Sequence, residues 1–130
     1  MHDEPTQDYV QHMNVLHGAC EVIDVPKLVR ECTDPWYNQT LCKVNGSVIR
    51  LGVLHGEYHW HKHDDDDEFF FVISGRLEIE LEGDETVQLD EQKGYVVPKG
   101  MMHRPLAPNK TVVLMVETAA IDPKGSTVPS

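Results

Sequence analysis

Residues 56–75 read GEYHWHKHDDDDEFFFVISG, and this stretch decides the fold because it joins a histidine tract to an apolar run. His59, His61 and His63 occupy alternate positions. Alternate side chains of a β-strand point to the same face of a sheet. We therefore predict a strand here that gathers three imidazoles on one face.

An acidic turn follows the histidines, and Glu68 then begins a run of aromatic and β-branched residues that ends at Ser74 and Gly75. Such a run predicts a second strand over residues 69–73. Two neighbouring strands would place two or three imidazoles beside one carboxylate. Further along, His103 follows a turn containing Pro and Gly, which would carry its imidazole back toward the first cluster.

Imidazole nitrogen and carboxylate oxygen together suit divalent Fe, Mn, Ni, Co or Zn. Two histidines and one carboxylate leave coordination positions open for water or substrate. The alternative is an exposed loop rich in His and Asp, which would chelate metal without a folded site. Three interpretations of His59 stay open: it is a proton carrier, an alternative ligand, or a residue at the rim of the site.

The pattern His61-x-His63-x(4)-Glu68-x(6)-Gly75 resembles the first motif of the cupin superfamily. The resemblance extends over roughly residues 38–118, which is most of the chain. In cupins these positions supply metal ligands inside a small β-barrel.

The pattern Pro98-x-Gly100-x(2)-His103 resembles the second cupin motif. The glycine usually found six positions before the proline of that motif is Gln92 in this chain. Together the two motifs imply a site for one divalent transition metal ion, which is Zn, Fe, Mn or Ni. The ligands implied by the resemblance are His61, His63, Glu68 and His103.

The rest of the chain has the pattern of an all-β protein. Asn45-Gly46 lies between two apolar runs and predicts a hairpin of residues 40–44 and 47–54 with a type I′ turn. Further strands are predicted over residues 76–82, 86–89, 94–98 and 111–117. Seven or eight short strands predict a sandwich or jelly-roll barrel, and the resemblance implies a double-stranded β-helix.

One short helix is predicted over residues 24–32, because Asp24 can cap its first turn and Pro26 is tolerated there. Its apolar stripe consists of Val25, Leu28, Val29 and Cys32. The predicted organisation is an N-terminal arm and helix (residues 1–37, the first 12 mobile), a barrel (residues 38–118) and a surface tail (residues 119–130).

Strand parity sorts the side chains around the predicted site. If Glu68 faces the metal, alternate residues of its strand line the cavity, whereas Phe69, Phe71 and Ile73 face the other way. That outer face must be covered by the helix, the tail or a second subunit, and we expect a homodimer. The predicted cavity lining consists of Phe70, Val72, Tyr95 and Met101 or Met102.

Arg50 also lies on a predicted strand. It is either a solvent-facing cation or a buried clamp for an anionic substrate. Because charged side chains are mostly exposed, we expect the solvent-facing position.

Composition limits the partners. The 130 residues suffice for one domain with a real core. The net charge of -11 and pI of about 5.0 disfavour nucleic acid and anionic membrane as partners. The chain has neither an apolar run of ~18 residues nor a signal-peptide pattern, so we expect a cytoplasmic protein. Cys20, Cys32 and Cys42 lack Cys-x-x-Cys spacing and are expected to be free thiols.

The function predicted from these features is that of a metal-dependent enzyme with a small-molecule ligand in the barrel. The substrate would be an oxygenated or ring-bearing organic compound, and the reaction of isomerase/lyase or dioxygenase type. His59 and Tyr95 are the candidate acid and base. The alternative is a non-catalytic cupin that binds a sugar or another small molecule and holds a structural metal.

Overall fold

The computed structural model of the protein describes residues 9–120 and residue 125. These residues form eight β-strands and one α-helix, which confirms the predicted all-β class. The elements are β1 Val10–His12, α1 Val25–Glu31, β2 Trp36–Val44, β3 Ser47–Glu57, β4 Glu68–Ser74, β5 Leu77–Leu81, β6 Glu85–Leu89, β7 Gly94–Val97 and β8 His103–Thr118.

The strands wrap into a double-stranded β-helix that β8 holds together. The sheet runs in the order β1-β2-β3-β8-β4-β7, and β5 pairs with both β6 and β8. The first residues of β8 pair with β5, and its later residues pair with β3 on one edge and β4 on the other. One strand of 16 residues therefore connects both halves of the barrel.

The predicted start of the last strand was wrong. We expected it at residue 111, but β8 begins at His103. Pro105 and Pro108 interrupt the β-pattern of the sequence, because proline cannot donate to a ladder. The strand nevertheless continues through Pro105, which is paired with Ile79 and accepts a hydrogen bond from the amide of Tyr58 through its carbonyl (3.1 Å).

The hairpin of β2 and β3 is confirmed. Val44 pairs with Ser47, and Asn45 has a left-handed φ of 53°. The predicted type I′ turn was wrong, because that turn requires a positive φ at both central residues and Gly46 does not have one. A left-handed φ of 68° also occurs at Gln92, the position where the second cupin motif usually has glycine. The turn before β7 therefore keeps the conformation that glycine favours without the glycine.

The predicted helix is confirmed as α1. The side chain of Asp24 accepts a hydrogen bond from the amide of Lys27 (3.1 Å). The helix packs its apolar stripe on the outer face of the barrel. It therefore covers part of the face that we expected the helix, the tail or a second subunit to cover. This outer cluster is centred on Leu41, Leu51, Val53 and Val112.

The N-terminal arm is only partly as expected. We predicted residues 1–12 to be mobile, but Val10–His12 form β1, which pairs in parallel with Tyr37–Gln39 of β2. Residues 1–8 lie outside the described part of the chain, and so does the predicted tail except residues 119, 120 and 125. The division at residues 37 and 118 stays a prediction.

The barrel interior contains the larger apolar cluster. Phe70 and Val72 are buried in it, as predicted from their parity with Glu68. Phe69 and Phe71 are partly exposed and stack on each other with ring centroids 6.5 Å apart. The homodimer that would cover them stays a prediction.

Two further sequence expectations concern membrane-spanning helices and disulfide bonds. In the described ranges no helix combines the length and apolarity that crossing a membrane requires. All three cysteines are free, as predicted.

Gly75 and Gly83 form a matched pair that tests the packing of β4 against β8. Both have left-handed φ values, 89° and 87°. A Cβ on Gly75 would lie 2.6 Å from Thr111 Oγ1 and 2.8 Å from the carbonyl of Lys110, whereas a Cβ on Gly83 would meet nothing within 4 Å. We expect Gly83→Ala to lower the free energy of unfolding by about 1–2 kcal/mol through φ strain.

The same strain applies to Gly75→Ala, and the steric clash should add about 1–3 kcal/mol. Urea unfolding of the two variants measures the difference. Equal destabilisation would contradict the close approach of β4 and β8.

Candidate metal centre

Four side chains predicted as ligands come from three separate segments. Glu68 is the first residue of β4, and His103 is the first residue of β8. His61 and His63 lie in the connection between β3 and β4. The structure brings all four side chains together, with one ligand atom of each within 4.8 Å of the others. We call these four side chains, which could hold one ion, the metal cluster.

The predicted strand through the three histidines was wrong. β3 ends at Glu57, and the only strand-like pairing in residues 58–67 is an isolated bridge between His61 and His103. In this bridge each residue donates its amide to the other's carbonyl, at 3.0 and 2.8 Å. The alternation still holds locally, because His61 and His63 are both buried while His59 is partly exposed.

The ring orientations leave one nitrogen of His61 and of His103 free to bind a metal. His61 Nδ1 lies 3.0 Å from the carbonyl of His59, and His103 Nδ1 lies 3.0 Å from the carbonyl of Met101. A ring that donates from Nδ1 presents the lone pair of Nε2. Both Nε2 atoms are therefore available as ligands.

The charge states of the cluster also suit a cation. Burial and the neighbouring His103 lower the pKa of His61 to about 3, so its ring is neutral at pH 7. Burial raises the pKa of Glu68, but the imidazoles of His103 and His63 outweigh burial and hold that pKa well below its ordinary value. A neutral imidazole and an ionised carboxylate are the forms that bind metal.

Unpaired polar atoms show that the residues fit a metal ion. Glu68 Oε1 lies 3.4 Å from His63 Nε2 and 3.5 Å from His103 Nε2, too far for good hydrogen bonds. In the part of the chain that the structure describes, these three atoms are buried and have no hydrogen-bond partner. Buried polar atoms rarely stay unpaired, and a shared cation would satisfy all three. This donor set suits a divalent transition metal.

A second carboxyl group lies behind Glu68, and we missed it in the sequence. Burial together with the negative charge of the neighbouring Glu68 raises the pKa of Glu117 to about 10. On its other side, Glu117 Oε1 lies 2.7 Å from Arg50 Nε. The signal in the sequence was a single Glu at the end of the apolar run 111–116.

The expected solvent-facing position of Arg50 was wrong. Its side chain is 1% exposed, and besides Glu117 it contacts Met13 Sδ at 2.9 Å through Nη1. Arg50 does not line the cavity next to the cluster, so the substrate-clamp interpretation has no support there. The buried arginine instead offsets the single negative charge that Glu68 and Glu117 carry between them.

A cavity of about 30 Å³ adjoins the metal cluster. His61 and Glu68 form part of its wall, so the cluster is open to it on one side. Of the predicted lining residues Phe70 is present, and the others are not. Among residues 9–120 and 125, the lining consists of Gln11, Trp36, Asn38, Leu54, Tyr58, His61, Glu68, Phe70, Pro105 and Met115.

The two candidate acid–base residues lie outside this wall. His59 is partly exposed, and its ring centroid is 4.0 Å from that of Tyr58. Tyr95 is paired with Phe70 in the sheet and packs against the interior core from β7. Their catalytic roles stay predictions.

A family model described as Cupin domain matches residues 49–118, more than half of the chain. The chain belongs to the cupin family. Among solved cupins, a cupin-2 domain containing protein from Shewanella frigidimarina has a TM-score of 0.70 at 30% identity, and the match covers 75% of this chain and 94% of that one. This likeness confirms the double-stranded β-helix.

Two curated relatives share parts of this cupin's sequence. The uncharacterized protein YdbB of Bacillus subtilis is 38% identical over 90 residues, which cover 69% of this chain and 80% of YdbB. The polyketide synthase CurC of Streptomyces cyaneus is 43% identical over 58 residues, which cover 45% of this chain and 35% of CurC.

Removal of two ligands should remove the metal from this cupin. We expect protein prepared without an affinity tag to carry about one transition metal ion per chain. The double variant His61→Ala/His103→Ala should lose it, while His55→Ala, which changes an exposed histidine outside the cluster, should keep it. Elemental analysis by mass spectrometry measures the content. Full metal in the double variant would contradict the ligand assignment.

In the metal-free protein, the low pKa of His61 predicts a loss of stability in acid. The folded protein keeps this ring neutral down to about pH 3, whereas the unfolded chain protonates it near the ordinary pKa of 6.5. The unfolded state therefore binds more protons between these values. The free energy of unfolding should fall as the pH falls below about 6.5, by up to about 1.4 kcal/mol per pH unit from this group.

Urea unfolding with EDTA, for wild type and for His61→Asn, isolates this contribution. The variant lacks the titrating ring, so the wild type should lose stability faster than the variant between pH 6.5 and 4. A constant difference between the two proteins over that range would argue against a neutral, buried His61.

Proposed function

We propose that this cupin is a metal-dependent enzyme that acts on a small oxygenated or ring-bearing organic molecule. The observation that carries the proposal is the shared wall: His61 and Glu68 belong both to the metal cluster and to the cavity. Structural metal sites are closed by protein ligands, whereas catalytic sites keep a position open to substrate. A cluster that opens into a cavity supports the catalytic kind.

The metal would be held by His61, His63, Glu68 and His103. When bound, such an ion would polarise a carbonyl or enol oxygen, lower the pKa of a bound water, or activate dioxygen. These chemistries correspond to the isomerase/lyase and dioxygenase reactions that we propose as alternatives. The metal identity would decide between them, since redox-active iron favours oxygen chemistry and zinc favours acid–base chemistry.

Away from His61 and Glu68, the described cavity wall supplies binding surface and excludes water rather than supplying charge. Trp36 and Tyr58 stack in parallel, with ring centroids 5.2 Å apart and planes inclined by 7°. Tyr9 of the N-terminal segment packs edge-on against both rings. Aromatic walls of this kind suit a planar or ring-bearing ligand. The relative named polyketide synthase CurC supports an oxygenated carbon compound of that kind as substrate.

The second candidate function is a non-catalytic cupin that binds a small molecule and holds a structural metal. The cavity volume favours it, because about 30 Å³ has room for about two water molecules. An enzyme with this cavity must admit only the head group of its substrate or open further. The two functions differ in whether the metal has an exchangeable coordination position.

Spectroscopy of the Co(II)-loaded protein separates them. Azide should shift the visible absorption bands of the wild-type protein, because an open coordination position accepts the anion. The double variant His61→Ala/His103→Ala serves as control, since it should show no bands of bound Co(II). Bands that do not respond to azide or to nitric oxide would indicate a closed, structural site and would contradict the catalytic proposal.

A further inference from the structure

The cavity beside the metal cluster contains a polar atom that the protein does not pair. Asn38 lines the cavity and is 8% exposed. Its Oδ1 is buried and accepts no hydrogen bond from any residue between 9 and 120 or from residue 125. A buried acceptor without a donor is costly, so native structures rarely retain one without a reason.

The sheet fixes the position of this amide. Asn38 lies inside β2, between Gln11 of β1 on one side and Gly52 of β3 on the other. A residue paired on both sides of its strand cannot move its backbone to bring the side chain to solvent. The unpaired oxygen is therefore held inside the cavity.

The other polar groups of the wall leave Asn38 Oδ1 unpaired. Gln11 Nε2 donates a hydrogen bond to the hydroxyl of Tyr58. His61 and Glu68 belong to the metal cluster. Of the ten described residues that line the cavity, none is Lys or Arg, so this part of the wall offers no partner for an anionic group. A bound ligand that carries a hydrogen-bond donor would pair with Asn38 Oδ1.

We propose that Asn38 determines substrate specificity by accepting a hydrogen bond from a hydroxyl or N–H group of an uncharged, oxygenated organic substrate. The donor belongs to a head group small enough for a cavity of about 30 Å³. A carbonyl or similar oxygen of the same molecule faces the metal cluster across the cavity. This inference rests on the proposed function, because it needs an open coordination position beside the cavity.

Two ligands of equal size test the inference. Hydroxyacetone carries a hydroxyl group where 2-butanone carries a methyl group, and the two molecules are otherwise alike. Their dissociation constants for the Co(II)-loaded protein follow from titration of the visible absorption bands. The wild-type protein should bind hydroxyacetone at least about tenfold more tightly than 2-butanone, because only the former satisfies Asn38.

Variants assign the preference to the amide. Asn38→Leu keeps the branching and the number of side-chain heavy atoms, adds some bulk and removes the acceptor, so the preference should fall to about twofold or less. Asn38→Asp keeps an acceptor and should retain the preference. Asn109→Leu, which changes an exposed asparagine of β8, should behave as wild type. Asn38→Ala repeats the test if the Leu variant does not load Co(II).

The outcomes separate this inference from the proposed function. If azide shifts the bands but the preference is absent in wild type, or equal in wild type and both Asn38→Leu and Asn38→Ala, the inference is wrong and the open metal site stands. A preference that persists without the amide would then come from chelation by the two oxygens of hydroxyacetone. If azide itself has no effect, the proposed function fails first and the inference falls with it.

Discussion

The pair of backbone hydrogen bonds between His61 and His103 is the constraint on which the site depends. It joins the irregular connection after β3 to the first residue of β8, over 42 positions of sequence. A further hydrogen bond, from the amide of Gly100 to the carbonyl of His63 (2.8 Å), fixes the same connection two residues after His61. Main-chain bonds thus bring the imidazoles together before any metal contributes. This matters because buried side-chain donors with low rotamer freedom lose little entropy when they bind an ion.

The interior also has to accommodate charge next to that constraint. Glu68 is ionised in a buried position, and a second carboxylate beside it would be strongly unfavourable. Glu117 avoids this by keeping its proton, while Arg50 supplies a buried positive charge on its far side. The barrel therefore carries one negative charge at the metal cluster and one positive charge behind it. A buried pair such as Arg50 and Glu117 is weak evidence for stability. Its consequence here is that it sets the net charge around the metal cluster.

Local patterns predicted much of this architecture, and long-range pairing accounts for what they missed. The alternation of Leu77, Ile79 and Leu81 with charged residues predicted β5, where all three are buried. The resemblance to two cupin motifs implied the four side chains of the metal cluster, although the connection that carries His61 and His63 is not a strand. The burial of Arg50 could not be predicted, since it depends on Glu117, a partner 67 positions away. The same holds for β1, which is only three residues long and exists through its pairing with β2.

The match to the Cupin domain covers one part of the cavity wall and does not extend to the rest. Residues 49–118, which match the Cupin domain, include the four candidate ligands and the lining residues from Leu54 to Met115. Gln11, Trp36 and Asn38 lie before that range, on β1 and β2. Family membership therefore accounts for the metal cluster and says little about the groups that face it across the cavity. Since those groups contribute two of its polar side chains, differences in substrate among cupins with the same ligand set can arise from the two N-terminal strands, while the metal chemistry stays the same.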